Sequence, residues 1–122
     1  MATPELPELL LSDRRGWRDW LEQNHHSTQG VRLVLHKSGG DVTTLTYDEA
    51  VEEALCFGWI DGQASSRDEG SWRVRMTPRR PKSNWSTRNV GRVARLEADG
   101  RMHESGRAVV ESAKADGRWP LS

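Results

Sequence analysis

The residues best suited to chemistry lie in a positively charged stretch from Ser71 to Leu96. That stretch holds eight basic side chains and no acidic one, whereas residues 41–69 hold eight acidic side chains and one basic side chain. A local surplus of positive charge favours the binding of an anion. The predicted ligand-binding residues are Arg75, Arg79, Arg80, Lys82, Ser83, Asn84, Trp85, Arg88, Asn89 and, upstream of the stretch, Trp59.

A stiff connector places two of these arginines just before a predicted helix. Pro78 and Pro81 bracket the connector, and proline neither donates to a sheet nor favours helix in the residue before it. The free amides and the dipole at a helix N-terminus attract anions, so a phosphate or carboxylate is the natural ligand. Trp85 would offer a stacking face for a base or sugar. The pattern predicts a binding corner over residues 77–89.

An alternative explanation is that these bases pair with acids of the chain itself. Glu49, Glu52 and Glu53 lie on a predicted helix, and Trp85 would then belong to the core. Surface ion pairs contribute only about 0–1 kcal/mol each, so the charge sorting alone decides neither case. A nucleic-acid-binding surface has the required charge but only one or two aromatic side chains, Trp72 and Trp85.

A second group of candidates surrounds Cys56 and Asp61. Cys56 is predicted at the negative, C-terminal end of a helix, which raises the pKa of a thiol and opposes the formation of a reactive thiolate. Asp61 is a weak candidate for the catalytic acid or base of a small enzyme that acts on a phosphorylated or carboxylated metabolite, with Arg79 as the anion clamp. A turn-forming role, or pairing with Arg75 or Arg79, is the favoured interpretation of Asp61.

The histidines do not predict a metal site. His25 and His26 are adjacent and would point apart on a helix, and His36 and His103 stand far from them in sequence. The sequence contains neither a glycine-rich phosphate loop nor a dinucleotide fingerprint. We therefore expect no metal and no cofactor.

The overall composition bounds the class of protein. A chain of 122 residues has the size of one domain, and 18 basic against 18 acidic residues give no net charge, which argues against a general nucleic-acid or membrane-surface binder. The single cysteine cannot form an intramolecular disulfide, and residues 1–11 lack the features of a signal peptide. We expect a cytoplasmic protein with no membrane partner, in which residues 1–11 are a loosely ordered part of a single domain, 1–122.

The elements that must position these candidates alternate between helix and strand. The sequence predicts helices from Ser12 to about Asn24, Thr46 to about Phe57, Ser83 or Ser86 to Asp99, and Glu104 to about Asp116. It predicts a strand at Val31–His36 and, after a turn at Asp61–Gly62, a hairpin of residues 63–68 and 72–76, with Trp72 in the core. The second helix should turn Glu49, Glu52 and Glu53 to solvent. The predicted fold class is α+β, a small antiparallel sheet of about three strands packed against four helices.

Three sequence runs carry a family resemblance. They are EALCFGWIDG at residues 53–62, TPRRPKSNWS at 77–86 and GRM at 100–102. Over roughly residues 12–119 the chain resembles the bacterial YdeI/OmpD-associated family, also labelled bacteriocin-protection proteins. The resemblance implies no catalytic residue.

Together these observations favour a non-enzymatic cytoplasmic module that binds an anionic small molecule or an acidic peptide at residues 77–89. A small enzyme using Asp61 and a nucleic-acid-binding protein remain the alternatives. Convergence of Arg75, Arg79 and Arg88 on one open pocket would favour the binding module.

Overall fold

Four helices and a four-stranded sheet make up the described fold. The computed structural model describes residues 6–37, 40–80 and 82–120. The helices are α1 (Arg14–Asn24), α2 (Tyr47–Cys56), α3 (Thr87–Ala98) and α4 (Glu104–Ala115), and the strands are β1 (Glu8–Leu9), β2 (Val31–His36), β3 (Trp59–Ser66) and β4 (Ser71–Pro78). The predicted α+β class is confirmed. None of these helices has the length and apolar content needed to cross a membrane.

The sheet is mixed, with the strand order β1-β2-β4-β3. Strand β1 is parallel to β2, and the other neighbours are antiparallel. Strand β2 has its predicted bounds. No element is predicted for residues 1–11, yet Glu8 pairs with Arg32 and Leu9 with Leu33. Residues 1–5 lie outside the part of the chain that the structure describes.

The predicted turn at Asp61–Gly62 is wrong, because both residues lie inside β3. The register between β3 and β4 shifts between Asp61 and Ala64, so two residues of β3 oppose Arg75. This is a β-bulge, which bends a strand and increases its twist. Asp-Gly pairs are common in turns, which is why the sequence pattern favoured a turn here.

Aromatic side chains join α1 to the sheet. Trp17 and Trp59 are buried and meet edge to face, with 6.2 Å between the ring centroids. Trp17 Nε1 donates to the carbonyl of Ala50 at 3.1 Å and so ties α1 to α2. Trp72, predicted in the core, is only half-buried and packs at the edge of the core. The cap of α1 is Asp13, not the predicted Ser12.

Backbone contacts join the end of α2 to the start of α4. The amide of His103 donates to the carbonyl of Cys56 at 2.9 Å, and Ser105 Oγ donates to the carbonyl of Phe57 at 3.1 Å. The last carbonyls of a helix have no partner within it, so these bonds satisfy two of them. A Cβ at Gly106 would lie 2.2 Å from the Cys56 oxygen, so only glycine allows α4 to come this close.

The carboxylate of Glu53 is buried, which shows that the prediction of a solvent-facing Glu53 was wrong. Its exposed fraction is 0%, and it accepts hydrogen bonds from Arg14, from Arg18 at 3.0 Å and from Arg101 at 2.5 Å. Arg14 and Arg18 belong to α1, and Arg101 follows α3. The amphipathic pattern fails here because α1 covers a face of α2 that the sequence assigns to solvent.

Glu53→Gln is expected to lower the free energy of unfolding by about 3 kcal/mol. Breaking a buried ion pair costs about 3–5 kcal/mol, and the lower end applies because the three arginines partly reach solvent. Urea denaturation at pH 7 measures the loss. The matched control is Glu97→Gln, at an exposed residue of α3, which should change stability by less than about 0.5 kcal/mol.

The stability difference between the wild type and Glu53→Gln should also depend on pH. Burial alone would raise the pKa of Glu53, but hydrogen bonds from Arg14, Arg18 and Arg101 outweigh it and hold the pKa below its ordinary value. The ionised carboxylate therefore stabilises the fold above its unfolded-state pKa of about 4.3, and this contribution disappears as the pH falls through the folded-state pKa. The gap between the two stability curves should begin to narrow as the pH falls below about 4.3 and should close below the folded-state pKa, and a constant gap would contradict the assignment.

Candidate anion-binding site

The connector after β4 is attached to the end of α2. The amide of Arg79 donates to the carbonyl of Gly58 at 3.0 Å, next to the two carbonyls that hold α4. Gly58 has a φ of 80°, which glycine adopts without a steric penalty. A Cβ there would lie 2.7 Å from Cγ2 of Val109 on α4. The connector and α4 therefore meet at Gly58.

The side chain of Arg79 is more than nine-tenths buried, with 8% exposed. Its guanidinium carbon lies 3.7 Å from the centroid of the Trp85 ring, and Nη2 donates to the carbonyl of Asn84 at 2.8 Å. Nε and Nη1 are buried and have no hydrogen-bond partner among the described residues. Within the same residues, no carboxylate forms an ion pair with Arg79.

Burial lowers the pKa of Arg79 to about 10. The attraction of Asp61 opposes this shift, and the repulsion of Arg118 adds to it. The guanidinium is therefore still protonated at neutral pH. A buried charge costs several kcal/mol unless a partner compensates it, and of the two buried charged side chains that the structure describes, Glu53 and Arg79, Arg79 is the less compensated.

An open pocket of about 270 Å³ lies beside Arg79. Three arginines and three residues of α4 line it: Arg79, Arg80, Arg118, Ala108, Val109 and Ser112. We call it the Arg79 pocket. The residues from α4 have the i, i+1, i+4 spacing of one helix face. The pocket thus has a cationic side and a side formed by small, mainly apolar groups.

The other two arginines of the pocket differ in their partners. Arg118 Nε donates to the two carboxylate oxygens of Asp116 at 2.8 and 2.9 Å, and its Nη1 donates to the carbonyl of Ser83 at 2.8 Å. Arg80 is exposed and pairs with no acid in the described ranges. Three guanidinium groups line the pocket, and one carboxylate, that of Asp116, is paired with them. Two positive charges are therefore in surplus.

The predicted ligand-binding residues contribute to this pocket only in part. Arg79 and Arg80 line it, and Ser83 and Asn84 hold its arginines through backbone carbonyls. Lys82 is exposed and is not among the lining residues.

Arg75, Arg79 and Arg88 do not converge on one pocket, so the observation that would have favoured the binding module is not made. Arg75 lines a second pocket together with Arg32, its direct neighbour across the β2–β4 pair, and Arg88 lines a third beside Asp48. Adjacent residues of a strand point to opposite faces, so Arg75 lies on the sheet face away from the core.

Neither predicted tryptophan presents a stacking face. Trp59 is 1% exposed and belongs to the core. Trp85 is 6% exposed and lies between Arg79 and Trp119, whose ring centroid is 5.0 Å away. The alternative prediction, with Trp85 in the core, is confirmed.

The start of α3 is also not part of the pocket. Ser86 Oγ caps it by accepting from the amide of Asn89 at 3.1 Å, and Asn89 Oδ1 accepts from Arg92 at 3.0 Å. Residues from the middle of α4 line the pocket instead of the start of α3. The fold packs this helix against the end of α2, a long-range contact for which the sequence carries no local signal.

Part of the positive stretch pairs with the acidic helix, as the alternative explanation predicts. Arg92 bonds to Asp48 at 3.1 Å and Arg95 to Glu52 at 2.8 Å. These ion pairs neutralise two basic side chains of α3. They do not involve the connector arginines, Arg79 and Arg80.

The second group of candidates, Asp61 and Cys56, lies outside the Arg79 pocket. Asp61 Oδ2 accepts from the hydroxyl of Tyr47 at 2.5 Å, and burial together with this bond raises the pKa of Tyr47 to about 12. Cys56 is buried, and burial followed by the repulsion of Glu53 raises the pKa of its thiol to about 11. The raised thiol pKa is as predicted, but burial is its main cause.

Three histidine rings approach one another near Phe57. The centroid of His25 lies 5.2 Å from that of His26 and 5.0 Å from that of His103. Within the described ranges, no three histidine, cysteine or acidic side chains are arranged to hold a metal ion. His103 has a structural role, since its Nδ1 accepts from the amide of Ser105 at 3.1 Å and caps α4.

The fold and the pocket define an α+β domain with a cationic corner. A family model described as a domain of unknown function, DUF8412, matches residues 9–109, and the chain belongs to this family. No curated protein and no solved structure matches the chain. The resemblance to the YdeI/OmpD-associated family stays a prediction.

Stability should fall over the pH range below about 6.5 because of the His103 cap. Burial lowers the pKa of His103, the charges of His25 and Arg18 lower it further, and Glu22 and Glu104 oppose the shift. The unfolded chain, with a histidine pKa of about 6.5, therefore binds the proton first as the pH falls, and an imidazolium Nδ1 cannot accept the capping bond.

His103→Asn keeps an acceptor at the cap without this titration. Thermal unfolding of the variant across that range should show a flatter pH profile than the wild type. His26→Asn, at an exposed histidine of the same cluster, should keep the wild-type profile. Equal profiles for the wild type and His103→Asn would show that the cap does not titrate there.

Proposed function

We propose that this protein is a cytoplasmic binding module for a small anion, which binds in the Arg79 pocket. The observation that supports the proposal is the buried guanidinium of Arg79, which has no carboxylate partner among the described residues. The cytoplasmic location rests on the single cysteine, which suits a reducing compartment.

The energetics of Arg79 favour an external partner. Stacking on Trp85 offsets part of the cost of burying the charge, since a desolvated cation–π contact contributes about 2 kcal/mol. An anion in the adjacent pocket would compensate the charge at short range, where little water screens the attraction. Arg80 would add a second guanidinium from the solvent side, and guanidinium groups suit planar carboxylates and phosphates.

Binding without turnover agrees with the residues around the pocket. Its lining contains no histidine, cysteine or carboxylate, and Ser112 supplies the one side-chain hydroxyl among the residues that line it. General acid–base and nucleophilic chemistry both require such groups within hydrogen-bond reach. The enzyme hypothesis with Asp61 therefore gains no support from this geometry.

The distribution of the other bases favours a small anion over a nucleic acid. Arg75, Arg79 and Arg88 line three different pockets, and Arg92 and Arg95 are paired with acids of α2. A nucleic-acid surface needs a continuous track of unpaired bases with aromatic faces between them. An acidic peptide belongs to the same class of ligand. One of its carboxylates would bind in the pocket, and the rest of the peptide would lie outside.

Arg80→Glu should weaken anion binding at least tenfold while leaving the fold intact. Arg80 is exposed and unpaired within the described ranges, so its replacement should change stability by less than about 0.5 kcal/mol. Calorimetric titration with phosphate, sulfate and acetate at constant ionic strength measures the affinity. Arg75→Glu, at another exposed arginine that lines a different pocket, should bind within about twofold of the wild type. Equal binding by wild type and Arg80→Glu, or binding lost equally in both variants, would overturn the site.

A further inference from the structure

We infer that the ligand of the Arg79 pocket is a small organic acid, with a carboxylate against the arginines and a short apolar or aromatic body against α4. This inference rests on the proposed function and adds the chemical class of the ligand. The juxtaposition that supports it is the presence of three arginines and the aliphatic groups of Ala108 and Val109 in the lining of one pocket.

The part of the lining that α4 supplies suits carbon better than it suits a bare inorganic ion. Ala108 is exposed, and Val109 is half-buried, with its Cγ2 at the close contact beside Gly58. An inorganic anion would leave these groups in contact with water, whereas an apolar body would cover them. Removing apolar surface from water contributes about 25 cal/mol per Å². Ser112, one turn after Ala108, offers a hydroxyl for a polar atom of the ligand.

The size of the pocket limits the part of a ligand that it can hold. Its volume of about 270 Å³ is slightly below the roughly 300–1,000 Å³ typical of sites for drug-sized molecules. At about 30 Å³ for each water molecule, the space corresponds to roughly nine waters. A benzoate-sized acid fits this volume, and most of a nucleotide would lie outside it.

A carboxylate is favoured over a phosphate by the partly buried setting. Only Arg79 and Arg80 offer unpaired charge to the ligand, because Arg118 is already paired with Asp116. A phosphate dianion loses more hydration on entering an apolar pocket than a singly charged carboxylate does. The planar carboxylate also matches the flat edge of a guanidinium group.

Calorimetric titration of the full chain with a graded series of ligands tests this inference. The series is acetate, butyrate and benzoate, with benzamide as the uncharged match for benzoate and inorganic phosphate as an anion without an apolar body. Affinity should rise about two- to fourfold per added methylene while the pocket fills, since a buried methylene contributes about 0.8 kcal/mol, and should be at least tenfold higher for benzoate than for acetate. Benzamide should not bind measurably, and phosphate should bind more weakly than benzoate.

Ala108→Leu tests the apolar wall directly. A larger side chain on α4 occupies the space of the ligand body, so benzoate affinity should fall at least tenfold while acetate affinity stays within about twofold. The matched control is Ala94→Leu, the same substitution at an exposed alanine of α3, which should bind both acids like the wild type. Leucine is a good helix former, so neither variant should disturb its helix.

The possible outcomes separate the two proposals. If acetate, benzoate and phosphate bind equally and Arg80→Glu abolishes all three, the anion site stands and the organic-acid inference is wrong. An unchanged benzoate affinity in Ala108→Leu would also refute the inference. If no anion in the series binds, or if Arg80→Glu binds them all normally, the proposed function itself fails.

Discussion

Three consecutive carbonyl groups at the end of α2 organise this protein. The oxygens of Cys56, Phe57 and Gly58 accept hydrogen bonds from the amide of His103, the hydroxyl of Ser105 and the amide of Arg79, respectively. A helix leaves its last carbonyls without partners, and here a second helix and a connector supply them. The Arg79 pocket lies between these two attached segments.

Among the described residues, two charged side chains are buried, and their surroundings differ. Glu53 is surrounded by three arginines from α1 and the segment after α3, and it fixes the helices around α2. Arg79 has an aromatic ring and one carbonyl, with no acid paired to it in the described ranges. Strained or under-compensated groups are expected at functional sites, where other interactions must hold them in place. The contrast is the physical basis for assigning a binding role to Arg79 and a structural role to Glu53.

The sequence predicted most of the helices and strands. Of the residues that line the Arg79 pocket, it predicted Arg79 and Arg80. Local signals, such as the capping box at Thr46 and the alternation of β2, act over a few residues and were confirmed. The burial of Glu53, the bulge at Gly62 and the dispersal of the arginines depend on which elements pack together, and that information is long-range. The wall supplied by α4 was missed for the same reason, since alanine, valine and serine on a helix carry no ligand signal.

The attachment of α4 through backbone groups has a consequence for the evolution of the family. Its position is set by the bonds to the end of α2 and by the close approach at Gly106, and neither depends on the exposed side chains of Ala108 and Ser112. These two positions can therefore change among relatives with little effect on folding. Under the proposed function, exchange there would change which molecules fit the Arg79 pocket while its arginines stay the same.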